Sequence, residues 1–312
     1  MDERRRTSPR ERSGRAAGAA AVVATVAAAT ALVVGLAGCS AATPATTSGA
    51  GAVAGADAAT AGATGAADPA RASDADLWPV GAGFDYQLGG ASPVPDGVTV
   101  VARDSTDEPA GAGFDICYVN GFQTQPGAVW PESLLLHDAS GGLLVDPGWP
   151  DEHLFDTSTA EAREALAELQ APVIDGCAAA GFDAVEFDNL DSYSRSDGAL
   201  DLDDAVAFAT LLVARTHQAG LAAGQKNTAE LEARGRDEIG FDFAVVEECD
   251  LYSECGAFTD VYGDGVLAIE YTDDLRDTVE GLCSRESTPR STVVRDRDLV
   301  PADDPGYSFA RC

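Results

Sequence analysis

The fold of this chain is decided by one stretch, Gly181-Phe182-Asp183-Ala184-Val185-Glu186-Phe187-Asp188-Asn189-Leu190-Asp191-Ser192-Tyr193. Its first half predicts a short buried strand, and its second half is a cluster of carboxylates and an amide. Strand residues alternate between the two faces of a sheet, so Val185 and Phe187 share one face. The other face carries one small residue and two acids. That combination fits the inside of a parallel barrel, while the bulky apolar face fits a covering layer of helices.

The acids of this stretch gather towards the carboxyl end of the predicted strand. In α/β barrels the carboxyl ends of the strands carry the chemistry, so we predict that Asp188 is a catalytic carboxylate. The alternative is an acidic loop that only solvates the strand end or caps the next helix.

Segments typical of strands and of helices alternate along the rest of the chain. The strand-like segments are Phe84–Leu88, Val98–Ala102, Asp115–Val119, Ala184–Asp188, Leu221–Gln225, Phe243–Glu247, Val266–Glu270 and Thr292–Arg295. The segments with apolar residues at helical spacing are Thr159–Ala180, Leu202–Ala219 and Asp273–Arg285. This alternation indicates a parallel sheet, and the number of strands predicts a closed (β/α)8 TIM barrel of the α/β class.

Local signals refine this picture. We expect Asp201 to cap the second helix and Pro172 to kink or divide the first. The Gly- and Pro-rich segment 120–157 predicts a long loop, and long loops in compact domains often carry function.

Residues 1–38 have the pattern of a secretory signal peptide. A basic start is followed by a nearly uncharged run rich in Ala and Val, which ends in Leu36-Ala37-Gly38-Cys39. Because a Cys after Leu-Ala-Gly resembles a bacterial lipobox, we predict lipidation of Cys39 and an extracytoplasmic protein anchored to the cell membrane. An uncleaved membrane anchor is the alternative, since the run is long enough to span a bilayer.

Residues 39–76 consist mainly of Ala, Thr, Gly, Ser and Pro. They cannot bury enough apolar surface to offset chain entropy, which predicts a flexible tether. Residues 77–312 hold all three Trp, and their length fits one barrel or two smaller domains. Since no Pro- or Gly-rich break divides them, we predict one domain.

The chain is strongly acidic, with a formal net charge of −32 at pH 7. Such a field repels nucleic acid and attracts polycations, which favours a cationic polysaccharide as partner and no nucleic acid. General surface acidity that serves solubility is the alternative. Because the chain has only three His, we expect no metal site, and the motifs indicate no cofactor.

Seven Cys occur in the chain, and an even number remains once Cys39 carries lipid. An even number in an oxidising compartment predicts disulfides, although sequence alone leaves their pairing open. Cys249 and Cys255 are close enough to close a small loop, and Cys283 and Cys312 could tie the final segment to the last helix. Cys117 and Cys177 would then be left over as the third pair.

Polar side chains follow most of the predicted strands. Glu247 and Glu248 end the sixth strand, and Asp188 ends the fourth. Both strands therefore direct acids to the same rim. Two carboxylates that face each other across a pocket are the machinery of glycoside hydrolysis. Lys226, the only Lys among 20 basic residues, ends the fifth strand. A compact ammonium there would hold a neighbouring carboxylate ionised; a chance placement is the alternative.

Several of these motifs occur together in one known family. They are Phe84-Asp85-Tyr86-Gln87-Leu88, Gly181 to Glu186 with Asp188-Asn189-Leu190-Asp191-Ser192-Tyr193, Gln225-Lys226-Asn227, Phe243 to Cys249 with Tyr252 and Cys255, and Val266 to Tyr271. Over residues 78–271 the chain resembles glycoside hydrolase family 114, the endo-α-1,4-polygalactosaminidases, which are TIM barrels. The resemblance implies a retaining endo-cleavage of α-1,4-linked galactosamine polymers.

The resemblance also implies roles for individual residues. Asp188 falls on the nucleophile and Glu247 on the general acid/base, with Glu248 as the alternative acid/base. The residues implied to line the pocket are Gln87, Asp104, Tyr118, Asp191, Tyr193, Lys226, Asn227 and Glu270. The chain departs from its relatives after the third strand, where they carry an acidic and aromatic loop and this chain has Asn120-Gly121-Phe122-Gln123-Thr124-Gln125-Pro126-Gly127. We expect that loop to touch substrate, so it bears on which polymer is cleaved.

Two other functions remain open from sequence. One is a carbohydrate-binding lipoprotein that hydrolyses nothing. The presence of both Asp188 and Glu247 argues against it. The other is a calcium-binding surface protein, but its Asp-rich segments 188–197 and 260–264 lack the spacing and the closing Glu of an EF-hand. The sequence therefore favours a lipid-anchored, monomeric glycosidase.

Overall fold

The computed structural model describes residues 81–312. The predicted signal peptide 1–38, the lipidation site Cys39 and the tether 39–76 lie outside the described residues, as does the start of the predicted domain 77–312. Within residues 81–312, no helix combines the length and the apolar character that crossing a membrane requires.

Nine strands form one sheet in which each strand lies beside the next one in the chain. They are β1 (Gly83–Gln87), β2 (Val98–Asp104), β3 (Phe114–Asn120), β4 (Ala184–Asp188), β5 (Ala222–Lys226), β6 (Phe243–Glu247), β7 (Val266–Tyr271), β8 (Ser291–Arg295) and β9 (Phe309–Arg311). The first eight run parallel, and β9 runs antiparallel to β8. Since β1 also contacts β8, the sheet curls into a nearly closed barrel. The predicted α/β barrel is confirmed, and the short β9 is an addition that the sequence pattern does not predict.

Five α-helices accompany the strands: α1 (Ala160–Ala180), α2 (Leu202–Gln218), α3 (Cys249–Tyr252), α4 (Cys255–Tyr262) and α5 (Val279–Cys283). The predicted cap of α2 is confirmed, because the Asp201 side chain accepts hydrogen bonds from the backbone N–H groups of Asp203 and Asp204. Pro172 lies inside α1 without dividing it, and Gly181 ends that helix in a left-handed conformation at φ 96°.

The third predicted helix, Asp273–Arg285, is wrong in its extent, because only Val279–Cys283 is helical. Thr278 begins the helix, since its side chain accepts a hydrogen bond from the backbone N–H of Gly281. The acids before it are held elsewhere: Asp273 and Asp274 both pair with the Arg297 guanidinium. Long-range pairing of these side chains therefore replaces the first turns of the predicted helix.

The strand residues alternate between two apolar layers, as the sequence predicts for β4. Ala184 packs inside the barrel with Phe84 and Ile116. Val185 and Phe187 pack on the outside, in the layer that includes the buried faces of α1 and α2. The alternation places Glu186 and Asp188 on the inner face, with Asp188 at the carboxyl rim.

Segment 120–157 is the predicted long loop, and it packs closely on the barrel. It contains a 3-10 turn at Glu132–Leu134 and isolated antiparallel bridges, among them Gln123 with Leu154 and Leu135 with Phe155. Leu154 and Phe155 are fully buried. Their burial fixes the position of the neighbouring Glu152 beside the end of β3.

Three disulfides form among residues 81–312, and they join the two pairs suggested by sequence and the pair left over. They are Cys117–Cys177, between β3 and α1, Cys249–Cys255, across the start of α3 and α4, and Cys283–Cys312, between α5 and the chain end. The predicted disulfide framework is confirmed.

A buried ion pair links the first and last parallel strands. Arg295 of β8 is 1% exposed, and its Nη1 donates to Asp85 Oδ1 of β1 at 2.7 Å. The same guanidinium donates to the backbone carbonyls of Tyr86, Val300 and Ser308. Because both charges lie away from water, the pair is satisfied only while β1 and β8 stay together.

We predict that Arg295→Gln lowers the free energy of unfolding by about 3–5 kcal/mol, because it leaves the Asp85 carboxylate buried without its ion-pair partner. Urea unfolding with the disulfides intact measures the change. The matched control is Arg290→Gln, whose side chain is 69% exposed and pairs with Asp264 at 3.4 Å. An exposed pair contributes about 0–1 kcal/mol. Equal losses in the two variants would show that the buried pair does not hold the barrel closed.

Candidate active site

Lys226 lies at the centre of the polar cluster inside the barrel rim. It ends β5, its side chain is 2% exposed, and its Nζ lies 3.0 Å from the hydroxyl of Tyr86. The same nitrogen lies 3.2 Å from Asp188 Oδ2, 3.2 Å from Glu247 Oε2 and 3.4 Å from Glu186 Oε1. One ammonium therefore joins groups from β1, β4 and β6.

Asp188 is held at the rim as a carboxylate. Its side chain is 20% exposed, Oδ2 accepts from the Tyr118 hydroxyl at 2.8 Å, and Oδ1 accepts from the Asn189 backbone N–H at 2.7 Å. Burial raises the pKa of Asp188, but the Lys226 charge and these hydrogen bonds outweigh it and lower the pKa below its usual range. An ionised, partly exposed carboxylate is suited to act as a nucleophile.

Glu247 faces Asp188 across the Lys226 ammonium. Its side chain is 27% exposed, and Oε1 accepts from the Tyr271 hydroxyl. Asn227 orients the residue, since its Oδ1 accepts from the Glu247 backbone N–H at 2.8 Å and its Nδ2 donates to Oε2 at 3.4 Å. Burial raises the pKa of Tyr271, followed by the Glu247 charge, so the tyrosine stays a hydrogen-bond donor.

The two rim carboxylates share one pocket. Asp188 Oδ2 and Glu247 Oε2 each lie 3.2 Å from the same nitrogen, so these oxygens can be no farther apart than twice that distance. Both side chains are partly exposed, whereas Lys226 and Glu186 lie buried beneath them. The arrangement can present two acids to one bond of a bound substrate.

Glu186 is a third carboxyl in this cluster, and it is 0% exposed. Its Oε1 accepts from the Tyr86 hydroxyl at 2.7 Å, while its Oε2 is buried without a hydrogen-bond partner. Burial is the main cause that raises the pKa of Glu186 to about 7.

A second polar network extends the site into the long loop. Glu152 Oε2 accepts from Asn120 Nδ2 at 2.9 Å and from Gln123 Nε2 at 3.0 Å. Asn120 in turn accepts at Oδ1 from Asn189 Nδ2, at 2.9 Å, and Asn189 directly follows Asp188. Burial raises the pKa of Glu152. The loop is therefore joined to the Asp188 side of the pocket by a continuous run of hydrogen bonds.

The structure brings Tyr118, Lys226 and Asn227 together with Asp188 and Glu247. Other predicted lining residues sit at the rim in contacts of their own. Asp104 accepts from Thr106 and Gln125, Asp191 pairs with Arg195, and Tyr193 packs beside Leu200. Glu248, the alternative acid/base, pairs with Arg297 at 2.8 Å.

Gln87 and Glu270 lie on the outer face of the barrel, which corrects their predicted place in the pocket. Gln87 donates to Asp85 Oδ2 and accepts from Arg103 Nε. Glu270 Oε1 accepts from the backbone N–H of Asp250. The physical reason is strand alternation: the adjacent Tyr86 and Tyr271 take the inward positions.

Tyr86, Tyr271 and Glu186 are the site residues that the predicted set leaves out. The alternation of strand residues between the two faces would have identified them from the sequence. Tyr86 shares the inner face with Phe84, and Tyr271 shares it with Ile269. Glu186 shares the face of Asp188 in the same way.

Among residues 81–312, Cys249, Cys255 and Glu270 have the mutual spacing of metal ligands. The two sulfurs are joined in a disulfide, so they are not available as the thiolates that bind metals. The donor set does not fit a metal ion.

Comparison with known proteins identifies the family of the chain. The profile of glycoside-hydrolase family GH114 matches residues 66–312. The chain is similar to Ega3 from Aspergillus fumigatus in complex with galactosamine, with a TM-score of 0.60 and 22% sequence identity over 76% of this chain and 97% of that chain. It is also similar to a variant of the glycoside hydrolase domain of PelA from Pseudomonas aeruginosa, with a TM-score of 0.49 and 15% identity over 70% of this chain and 95% of that one.

No curated protein sequence matches the chain. The likeness to Ega3 shows a shared fold, and the family match covers well over half of the chain. This protein therefore belongs to glycoside hydrolase family GH114.

Proposed function

We propose that this glycoside hydrolase is a retaining endo-enzyme that cleaves α-1,4-linked galactosamine-containing polysaccharide as a monomer. Asp188 is the nucleophile and Glu247 is the general acid/base. The observation that carries the proposal is the placement of both carboxylates on one ammonium, with Asp188 Oδ2 and Glu247 Oε2 each 3.2 Å from Lys226 Nζ.

The chemistry takes two steps. In the first, Asp188 attacks the anomeric carbon while Glu247 gives its proton to the glycosidic oxygen, so the leaving sugar departs with a hydroxyl group. In the second, Glu247 removes a proton from water, the water oxygen bonds to the anomeric carbon, and the bond to Asp188 breaks. Lys226 stabilises Asp188 as the departing carboxylate, because its ammonium is fixed beside Oδ2.

The charge of the protein supports a cationic substrate. The chain has a formal net charge of −32, and rim acids such as Asp191, Asp273 and Asp274 are about half exposed. A field of this sign concentrates polymers with free amines near the pocket. The similar Ega3 structure is a complex with galactosamine, a sugar of that kind.

Exposed aromatic rings support an extended polymer rather than a single sugar. Trp149 is 65% exposed and belongs to the same loop as Glu152, and Tyr252 is 56% exposed and lies on α3 directly after β6. Trp and Tyr are enriched at interaction surfaces, because each combines a large apolar ring with a polar group. The two rings stand on the elements that carry the two sides of the pocket, as a chain crossing it requires.

A carbohydrate-binding protein without activity is the second candidate for this barrel. It would keep the groove and its aromatic rings, but it would not need a partly exposed Asp188 held ionised opposite Glu247. The assay below separates the two candidates, because a binder retains the polymer without shortening it.

We predict that Asp188→Asn and Glu247→Gln each keep the fold and lower hydrolysis of partly deacetylated galactosamine polymer by at least about 10²-fold, because each removes one of the two acting carboxyls. Product masses measure hydrolysis, and circular dichroism checks folding. Glu248→Gln is the matched control and retains activity, since Glu248 pairs with Arg297. Loss in Glu248→Gln with activity in Glu247→Gln would transfer the acid/base role to Glu248.

We predict that the first-formed product keeps the α configuration, as seen by proton NMR of the anomeric signal during the reaction. Retaining enzymes hold their carboxyl groups about 5–5.5 Å apart and inverting ones about 6.5–9.5 Å apart. Asp188 Oδ2 and Glu247 Oε2 each lie 3.2 Å from Lys226 Nζ, so they can be no farther apart than twice that distance, which lies below the inverting range. A β product appearing first would replace the proposed nucleophile with a base that activates water.

We propose that the enzyme is anchored to the cell membrane through lipid on Cys39, on the strength of Leu36-Ala37-Gly38-Cys39 at the end of an apolar run. In a bacterial host, the full chain is expected to take up a fatty-acid label and to sediment with membranes. Cys39→Ser is expected to lose the label. Equal labelling of both chains would place the lipid elsewhere, and membrane association without label would favour an uncleaved anchor.

A further inference from the structure

One carboxyl of the site has no part in the two-step chemistry. Glu186 lies two residues before Asp188 on the same inward face and one layer deeper, where it is fully buried. Its Oε2 has no hydrogen-bond partner. An ionised oxygen left unpaired in such a place costs far more than an unpaired neutral group.

Lys226 donates its hydrogen bonds to Tyr86 and Asp188, and Glu186 is a more distant ion-pair partner of the ammonium. An ammonium has three protons to donate. The three nearest oxygens are those of Tyr86 at 3.0 Å and of Asp188 and Glu247 at 3.2 Å each. Glu186 Oε1 is farther, at 3.4 Å, and is bonded instead by the Tyr86 hydroxyl at 2.7 Å. Tyr86 therefore bonds both the carboxyl and the lysine, and the direct contact between those two is the longest oxygen contact of the ammonium.

The charges that face Glu186 decide its protonation. The groups around it, from the strands packed against it, are Tyr86 on β1, Tyr118 on β3, Asp188 on β4, Lys226 on β5, Glu247 on β6 and Tyr271 on β7. One ammonium balances one carboxylate, and Asp188 takes that place. An ionised Glu186 would add a second buried negative charge, and the same ammonium, already paired with Asp188, would have to balance both.

We propose that Glu186 is a positioning residue kept as a neutral acid, whose carbonyl oxygen fixes Tyr86 and, through Tyr86, holds the Lys226 ammonium on Asp188 and Glu247. The roles of Asp188 and Glu247 in this inference rest on the proposed function; the neutrality of Glu186 does not. Burial, the largest cause, raises the pKa of Glu186 to about 7, in the same direction.

The first test uses stability and needs no substrate. The pKa of a Glu in an unfolded chain is about 4.3, so between that value and 7 the folded state binds the extra proton and stability falls as pH rises. Glu186→Gln cannot lose a proton. The quantity to measure is the thermal midpoint of Glu186→Gln minus that of the wild-type protein. We expect this difference to be larger at pH 8 than at pH 5 by about 5 °C. The control is Glu286→Gln, at an exposed position. Its midpoint difference from the wild-type protein should not change between pH 5 and pH 8.

The second test separates position from charge. Glu186→Leu removes the acceptor of Tyr86 and frees Lys226 to move, so we expect kcat to fall about 10²-fold with little change in KM. Glu186→Gln keeps the acceptor without the charge and should restore most of that loss at pH 5–6.

Two outcomes would overturn the inference. One is a midpoint difference for Glu186→Gln that does not change with pH; the other is a Glu186→Gln variant as slow as Glu186→Leu. A wild-type protein that hydrolyses no galactosamine polymer would instead count against the proposed function, and the stability test would still decide the state of Glu186.

Discussion

The ammonium of Lys226 is the interaction on which the rest of this site depends. Three carboxyls converge inside the barrel rim within 3.4 Å of it, and without a cation an ionised Asp188 among them would have no counter-charge. A buried ammonium without oxygen partners is equally unstable, costing several kcal/mol. Lysine and acids therefore require each other. The guanidinium of Arg is planar and donates in a fork, so it does not fit acceptors that surround one point. This explains why Lys stands at this position although the other basic residues of the chain are Arg.

Contacts between β1 and β8 also contribute to that geometry. Arg295 on β8 bonds the Asp85 side chain and the Tyr86 carbonyl of β1. With Asp85 held on the outer face, alternation turns the Tyr86 side chain inward. The Tyr86 hydroxyl then meets both Lys226 and Glu186. The ion pair that joins the first and eighth strands therefore also directs the Tyr86 side chain into the cluster around Lys226.

Sequence reasoning locates the acids of this site because its rules are local. Alternation along β4 and the polar ends of β5 and β6 single out Asp188, Lys226 and the pair Glu247 and Glu248, and the family resemblance selects Glu247 from that pair. On β1 and β7 the prediction follows polarity instead of alternation and selects Gln87 and Glu270, which face outward. A tyrosine is hard to assign to a site from sequence, because its ring fits a hydrophobic core equally well. Only the hydrogen bonds of its hydroxyl in the structure indicate a place in the site.

Other features depend on contacts between distant parts of the chain, which no local pattern encodes. The beginning of α5 is set by the pairing of Asp273 and Asp274 with Arg297. The course of segment 120–157 is set by bridges such as Gln123 with Leu154. The disulfides belong to the same class, because sequence alone leaves their pairing open and the contact of β3 with α1 decides Cys117–Cys177.

The backbone at three strand ends shows where this fold accepts conformational cost for function. Asn189, Asn227 and Glu248 directly follow Asp188, Lys226 and Glu247, and all three have positive φ, at 63°, 47° and 57°. Left-handed backbone at a non-Gly residue costs of order 1 kcal/mol. Each such turn bends the chain away as soon as the strand has delivered its side chain, so three neighbouring strands release their polar ends into one open pocket. At Asn189 the same turn brings its N–H onto the Asp188 carboxylate, so part of the cost is offset by stabilising the ion the site uses.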